Sequence, residues 1–139
     1  PPGGWLGTLA ESAKLLPSDG TAGDVFGLGL AVQGELIVVG ATDDDDSGAE
    51  SGSAYVFERP DGGWTGTLTE RLKLLPSDGS TNDTLGLSAA ISEGTVVVGA
   101  HGDESSRGAA YIFAVTSNGT LFRDGFESGD RWRWSSSAP

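Results

Sequence analysis

The sequence predicts an all-β chain made of two repeated, antiparallel four-stranded units followed by an extended tail. Three observations predict it. "KLLPSDG" occurs at residues 14–20 and again, letter for letter, at residues 73–79. "IVVGA" (37–41) returns as "VVVGA" (96–100), and "SAYVF" (53–57) returns as "AAYIF" (109–113). Between these phrases lie β-branched and aromatic runs bounded by glycine, with no convincing helix.

The spacing of the copies fixes the units. Trp5 to Trp64 and Gly40 to Gly99 are both 59 residues apart, whereas Tyr55 to Tyr111 is 56. The second copy is therefore shorter after Ala100, where "TDDDDSGAESG" becomes "HGDESSRG". Length variation confined to one polar loop marks that loop as a surface excursion from a fixed framework. The chain divides into residues 1–61, residues 62–118 and a tail of different character, residues 119–139.

Each unit supplies its strands in the same order. "AKLLPS" and "LKLLPS" end on a proline that cannot donate to a ladder, which suits a strand end or edge. "FGLGLAV" and "LGLSAAI" lead through the turn dipeptides "QG" and "EG" into "ELIVVGA" and "TVVVGA", the pattern of buried strands. "SAYVF" and "AAYIF" close each unit. About four strands per repeat, at a period of roughly 40 to 60 residues, is the signature of a β-propeller-type blade. Val38, Val97, Tyr55, Tyr111, Phe57 and Phe113 are expected to be buried at equivalent places.

These residues resemble the FG-GAP repeat, found in integrin α-chain propellers and in many secreted bacterial proteins. The first copy carries Phe26-Gly27 and Gly40-Ala41-Thr42; the second carries Leu85-Gly86 and Gly99-Ala100-His101, drifted at both signatures. The resemblance implies propeller blades in an extracellular or secreted protein, and it implies calcium in some repeats through a D-x-D-x-D-G loop before the "GAP" strand. Here that place holds "VQGEL" and "ISEGT", with one carboxylate each, Glu35 and Glu93. A calcium ion takes about 6 to 8 oxygens, so the family's calcium site is absent and no cofactor is expected.

Asp43, Asp44, Asp45 and Asp46 are the substitute candidate for a cation such as calcium. Adjacent side chains on an extended chain point alternately apart, and the expectation is a solvated acidic loop. His101 stands alone, without a second imidazole or a nucleophile beside it. Trp5 and Trp64 occupy matching places, as core or inter-blade packing or as platforms for sugar rings. In the tail, "RDGFESGDRWRWS" resembles a short motif that ends many exported bacterial proteins. Trp132 and Trp134 alternate with arginines, so both indoles project from one side of an extended segment. With Phe122 and Phe126 they form a candidate assembly or partner-binding element, or a sorting motif.

Composition narrows the partners. Twenty acidic against eight basic side chains give a net charge of -12, which argues against nucleic acid. Cysteine is absent, so disulfide and thiolate chemistry are excluded. No apolar run approaches the ~20 residues that cross a bilayer. A start on Pro1 suggests a mature form or a fragment.

Blades bury their faces against neighbours, and a closed propeller needs about 4 to 8 of them. The favoured reading is a non-enzymatic, secreted, bacterial structural or adhesive module that partners itself in an oligomer or filament. The alternatives are a lectin-like propeller binding carbohydrate or a cell-surface protein, or the C-terminal fragment of a larger propeller.

Overall fold

The computed structural model describes residues 4 and 6–115. Trp5, Phe122, Phe126, Trp132 and Trp134, the candidate platform and assembly residues, lie outside the described residues. Among the described residues nine strands follow in order: β1 (Ala13–Leu16), β2 (Phe26–Gln33), β3 (Leu36–Ala41), β4 (Ser53–Glu58), β5 (Gly66–Thr69), β6 (Leu72–Leu74), β7 (Leu85–Ser92), β8 (Thr95–Ala100) and β9 (Ala109–Ala114). A single helical turn at Asp103–Ser106 contains Glu104 and Ser105 at φ of 48° and 59°, so it is a local left-handed excursion.

Two antiparallel sheets form from equivalent segments. The first has the order β2-β3-β4-β6 and the second β7-β8-β9. Tight turns join β2 to β3 and β7 to β8, the second through Glu93 and Gly94, both at positive φ. Both hairpins carry a register shift at the same place, between Phe26 and Leu30 and between Leu85 and Ser88. The glycine of each "FG" signature sits in that bulge, at φ of 106° for Gly27 and 110° for Gly86, a region that a side chain would strain.

The sheets do not respect the sequence boundary between copies. The fourth strand of the first sheet is β6, whose residues belong to the second "KLLPSDG" phrase; Tyr55 pairs with Lys73 and Ala54 with Leu74. Four strands drawn from one repeat was the expectation. The first copy's equivalent strand, β1, is not available to β4 because it pairs with β5 instead. The two lie parallel, with Lys14 opposite Thr67.

The main core lies where the sheets face each other. Val38, Ala54 and Val56 of the first sheet meet Leu85, Val96 and Val98 of the second, all fully buried. The opposite face of the first sheet holds Val39, Tyr55 and Phe57, covered by Leu15, Phe26 and Trp64. Phe26 packs edge-on against Tyr55 at 5.6 Å and Phe57 at 6.1 Å between ring centroids.

Burial is not equal in the two copies. Val38, Tyr55 and Phe57 are buried as expected, but Val97, Tyr111 and Phe113 are only half-buried. Val97 shares its face with Ile112 through their cross-strand pairing, and Ile112 is 72% exposed. The face that packs inward in the first sheet is the outermost surface of the second.

Candidate functional site

The acidic loop after Ala41 builds a lysine socket. Lys73 Nζ donates to Asp19 Oδ2 at 2.7 Å, Asp44 Oδ2 at 2.9 Å and Asp46 Oδ2 at 2.7 Å. The Tyr55 hydroxyl lies 2.9 Å from Asp19 Oδ1 and 2.8 Å from Asp44 Oδ2. The members come from four places in the fold: Asp19 from the turn after β1, Asp44 and Asp46 from the loop after β3, Tyr55 from β4 and Lys73 from β6. Asp44 is only 3% exposed, and it also accepts from the Asp46 amide at 3.0 Å.

A solvated acidic loop was the expectation, and Asp44 corrects it. Asp45 is used locally, accepting from the Glu50 amide at 2.8 Å, and Asp43 accepts from the Thr42 hydroxyl at 2.8 Å. Among the described residues, no three His, Cys, Asp or Glu side chains are grouped so as to hold a metal ion. The lysine ammonium sits among the carboxylates, where a cation would go.

Charge and burial compete in this socket, and charge wins. Hydrogen bonding from Lys73 holds the Asp19 carboxyl below the usual range against the opposing effect of its burial. Burial alone would push Asp44 up, but hydrogen bonds from Lys73, Tyr55 and the Asp46 amide bring it below its ordinary value. Burial likewise opposes the Lys73 charge, and the surrounding aspartates and Tyr55 overcome it and raise the ammonium well above its normal value. Burial is the largest reason that the Tyr55 hydroxyl is raised. Removing the half-buried Lys73 would leave the buried Asp44 carboxylate without its counter-charge, which is costly.

The second copy repeats the cradle without the lysine. The Tyr111 hydroxyl lies 2.9 Å from Asp78 Oδ1 and hydrogen-bonds to Asp103 Oδ2. Asp78, Asp103 and Tyr111 are the counterparts of Asp19, Asp44 and Tyr55. Hydrogen bonding to Asp103 is the largest cause that raises the Tyr111 hydroxyl above its ordinary value. Arg107, the nearest cation along the chain, pairs outward with Glu104 at 2.8 Å.

The signature glycines make the contact between sheets. A Cβ built on Gly40 would collide with the Gly86 carbonyl and lie 2.7 Å from its Cα. Gly29 and Gly52 face the backbone of Leu85 to Leu87 in the same way, too close for any side chain. The glycine of one repeat's "GAP" thus receives the glycine of the next repeat's "FG". The FG-GAP repeat family matches the chain at residues 9–57 and 68–113. The chain belongs to the FG-GAP repeat family. Repeats of this family are typical of extracellular proteins and generally carry no catalysis. No curated protein matches the chain.

Trp64 is half-buried against the cluster of Val39, Tyr55 and Phe57, so its ring packs within the protein. His101 is exposed, with Nδ1 2.8 Å from the Thr84 hydroxyl. Sequence reasoning missed the socket. Its signal was present all the same: the only two lysines, Lys14 and Lys73, both open the duplicated phrase, and Asp19 and Asp78 both precede its final glycine.

Proposed function

We propose that this chain is a non-enzymatic structural or adhesive module of the bacterial cell exterior that acts by associating with copies of itself. The carrying observation is the apolar outer face of the second sheet, where Ile112 stands open although its counterpart in the first sheet, Val56, is fully buried against a neighbour. Apolar surface of this kind favours burial by about 25 cal/mol per Å². The ionisable groups of the candidate site support the same reading, because Lys73, Asp44 and Tyr55 satisfy one another and leave no nucleophile–base pair for chemistry. The net charge of -12 keeps nucleic acid out of consideration, and a cell-surface protein or carbohydrate is a secondary partner. Export is supported by the "DGFESGD" motif of the tail. Particle mass by light scattering and electron microscopy tests the reading. Oligomers or filaments are expected, and a single-chain particle at every concentration would refute it.

A further inference from the structure

We propose that the first repeat of a second copy of this chain docks onto the outer face and open edge of β7-β8-β9, seating its Lys14 in the cradle of Asp78, Asp103 and Tyr111. This rests on the self-association proposed above and names its contact. The template is the joint inside the chain. There, the second repeat meets the first through a strand edge with a lysine, a glycine contact and an apolar face. All three are half-made at each end of the described chain.

The strand edge comes first. β6 covers β4 and delivers Lys73 to Asp19, Asp44 and Tyr55. β9, the counterpart of β4, borders only β8 among the described strands, and its cradle holds no lysine. The counterpart of β6 is β1, which has β5 as its single neighbour among the described strands. Lys14 on that strand is exposed and makes no ion pair among the described residues. It is the only other lysine in the chain, and the two carboxylates that lack one suit its charge.

The glycine contact is next. Gly86 is clasped by the first sheet, whereas a Cβ on its counterpart Gly27 would meet nothing within 4 Å. On the second sheet the matching receptor is an open cleft of about 440 Å³, lined by Leu87, Ser88, Gly99, Gly108 and Ala110 among others. Gly99 and Gly108 stand where Gly40 and Gly52 stand in the filled joint. One position differs. Ser88 replaces Gly29, and its Oγ lies 2.5 Å from where a Cβ on Gly99 would be. Docking therefore requires this short side chain to turn aside about χ1.

The apolar faces match as well. Ala89 and Ile91 pack into the joint from β7. Their counterparts on β2, Leu30 and Val32, are 63% and 70% exposed. They would meet Val97 and Ile112, the open counterparts of the buried Val38 and Val56. Because each copy offers a different surface, the contact is heterologous, and repetition either closes a ring or extends a filament.

Two full-length variants test this, each blocked at one end. Lys14→Glu blocks the first-repeat surface and Ile112→Glu the second-repeat surface; both positions are exposed, so both chains should fold, as circular dichroism will check. Sedimentation should show each alone associating about a hundredfold more weakly than the parent, and a 1:1 mixture forming a dimer that grows no further. Ser88→Gly in the parent should strengthen association. If the parent associates and neither variant lowers its mass, self-association stands and this contact is wrong. If the parent is a single chain at all concentrations, the underlying reading fails with it. If removing residues 119–139 is what first permits association, the chain's own tail is the occupant and the proposal is overturned.

Discussion

Gly86 occupies the space that a side chain on Gly40 would need: a Cβ there would lie 2.7 Å from the Gly86 Cα. The two signature glycines of successive repeats are therefore one contact, and the backbone of β7 crosses the first sheet closer than any L-residue with a side chain permits. Gly40→Ala should destabilise the chain by about 1 to 3 kcal/mol through overpacking against backbone that cannot yield. Gly99→Ala should cost less, because its new methyl meets only the movable Ser88 hydroxyl. Urea unfolding of the two variants decides this, and equal losses would contradict the joint.

Lys73 holds two repeats together through one ammonium. Lys73→Met leaves Asp44 buried beside Tyr55 without its counter-charge, and the expected loss is about 3 kcal/mol. Lys14→Met, at the equivalent but exposed position, should leave the unfolding midpoint of dilute protein unchanged. Thermal melts at low concentration compare the pair.

The socket also sets a pH dependence. Asp19 and Asp44 are lowered in the folded protein, so their contribution is present above the unfolded carboxylate value of about 3.9 and is lost as pH falls below it. Lys73 is raised, so its contribution is complete below about 10.4 and is lost only at more alkaline pH. Stability should be flat across neutral pH and fall on acidification. In Lys73→Met the acid limb should become shallower, and an unchanged limb would place the titrating groups elsewhere.

The hydrophobic core gives a directional check. Val98 is fully buried between the sheets, and Val97 is half-buried on the outer face. Val98→Asp should cost several kcal/mol by leaving an unpaired carboxylate in the core. Val97→Asp should be milder in dilute solution. Equal effects by denaturant titration would mean that both faces of β8 are covered.

Chelation should be without effect. Asp44 and Asp46 already have a counter-charge in Lys73, so the melting temperature in EDTA should match that in buffer. A clear drop would show that a cation shares the socket.

The strands shared by the two copies were legible because their signals are local: β-branched runs such as Leu36–Ala41, glycine turns, and prolines that end pairing; β5 was not anticipated. The equivalence of Tyr55 and Tyr111 was legible from the repeat itself. Their unequal burial was not, because burial depends on which neighbour covers each sheet face. Asp44 was read as solvated for a related reason. A run of four aspartates looks like a charged loop until Lys73, far along the chain, pairs into it. The borrowing of β6 by the first sheet escaped the repeat boundaries because sequence periodicity fixes a period and leaves its phase open.

The most direct measurement of the central claim is hydrogen exchange at β9 as a function of protein concentration. In dilute solution the amides of Ala109–Ala114 that face away from β8 should exchange rapidly, while those of β8, paired on both sides, are protected. As concentration rises, the exposed set should slow in step with particle mass, because Ala13–Leu16 of another copy covers the edge. Rapid exchange at every concentration would contradict the account, and so would protection that is already complete in the single chain.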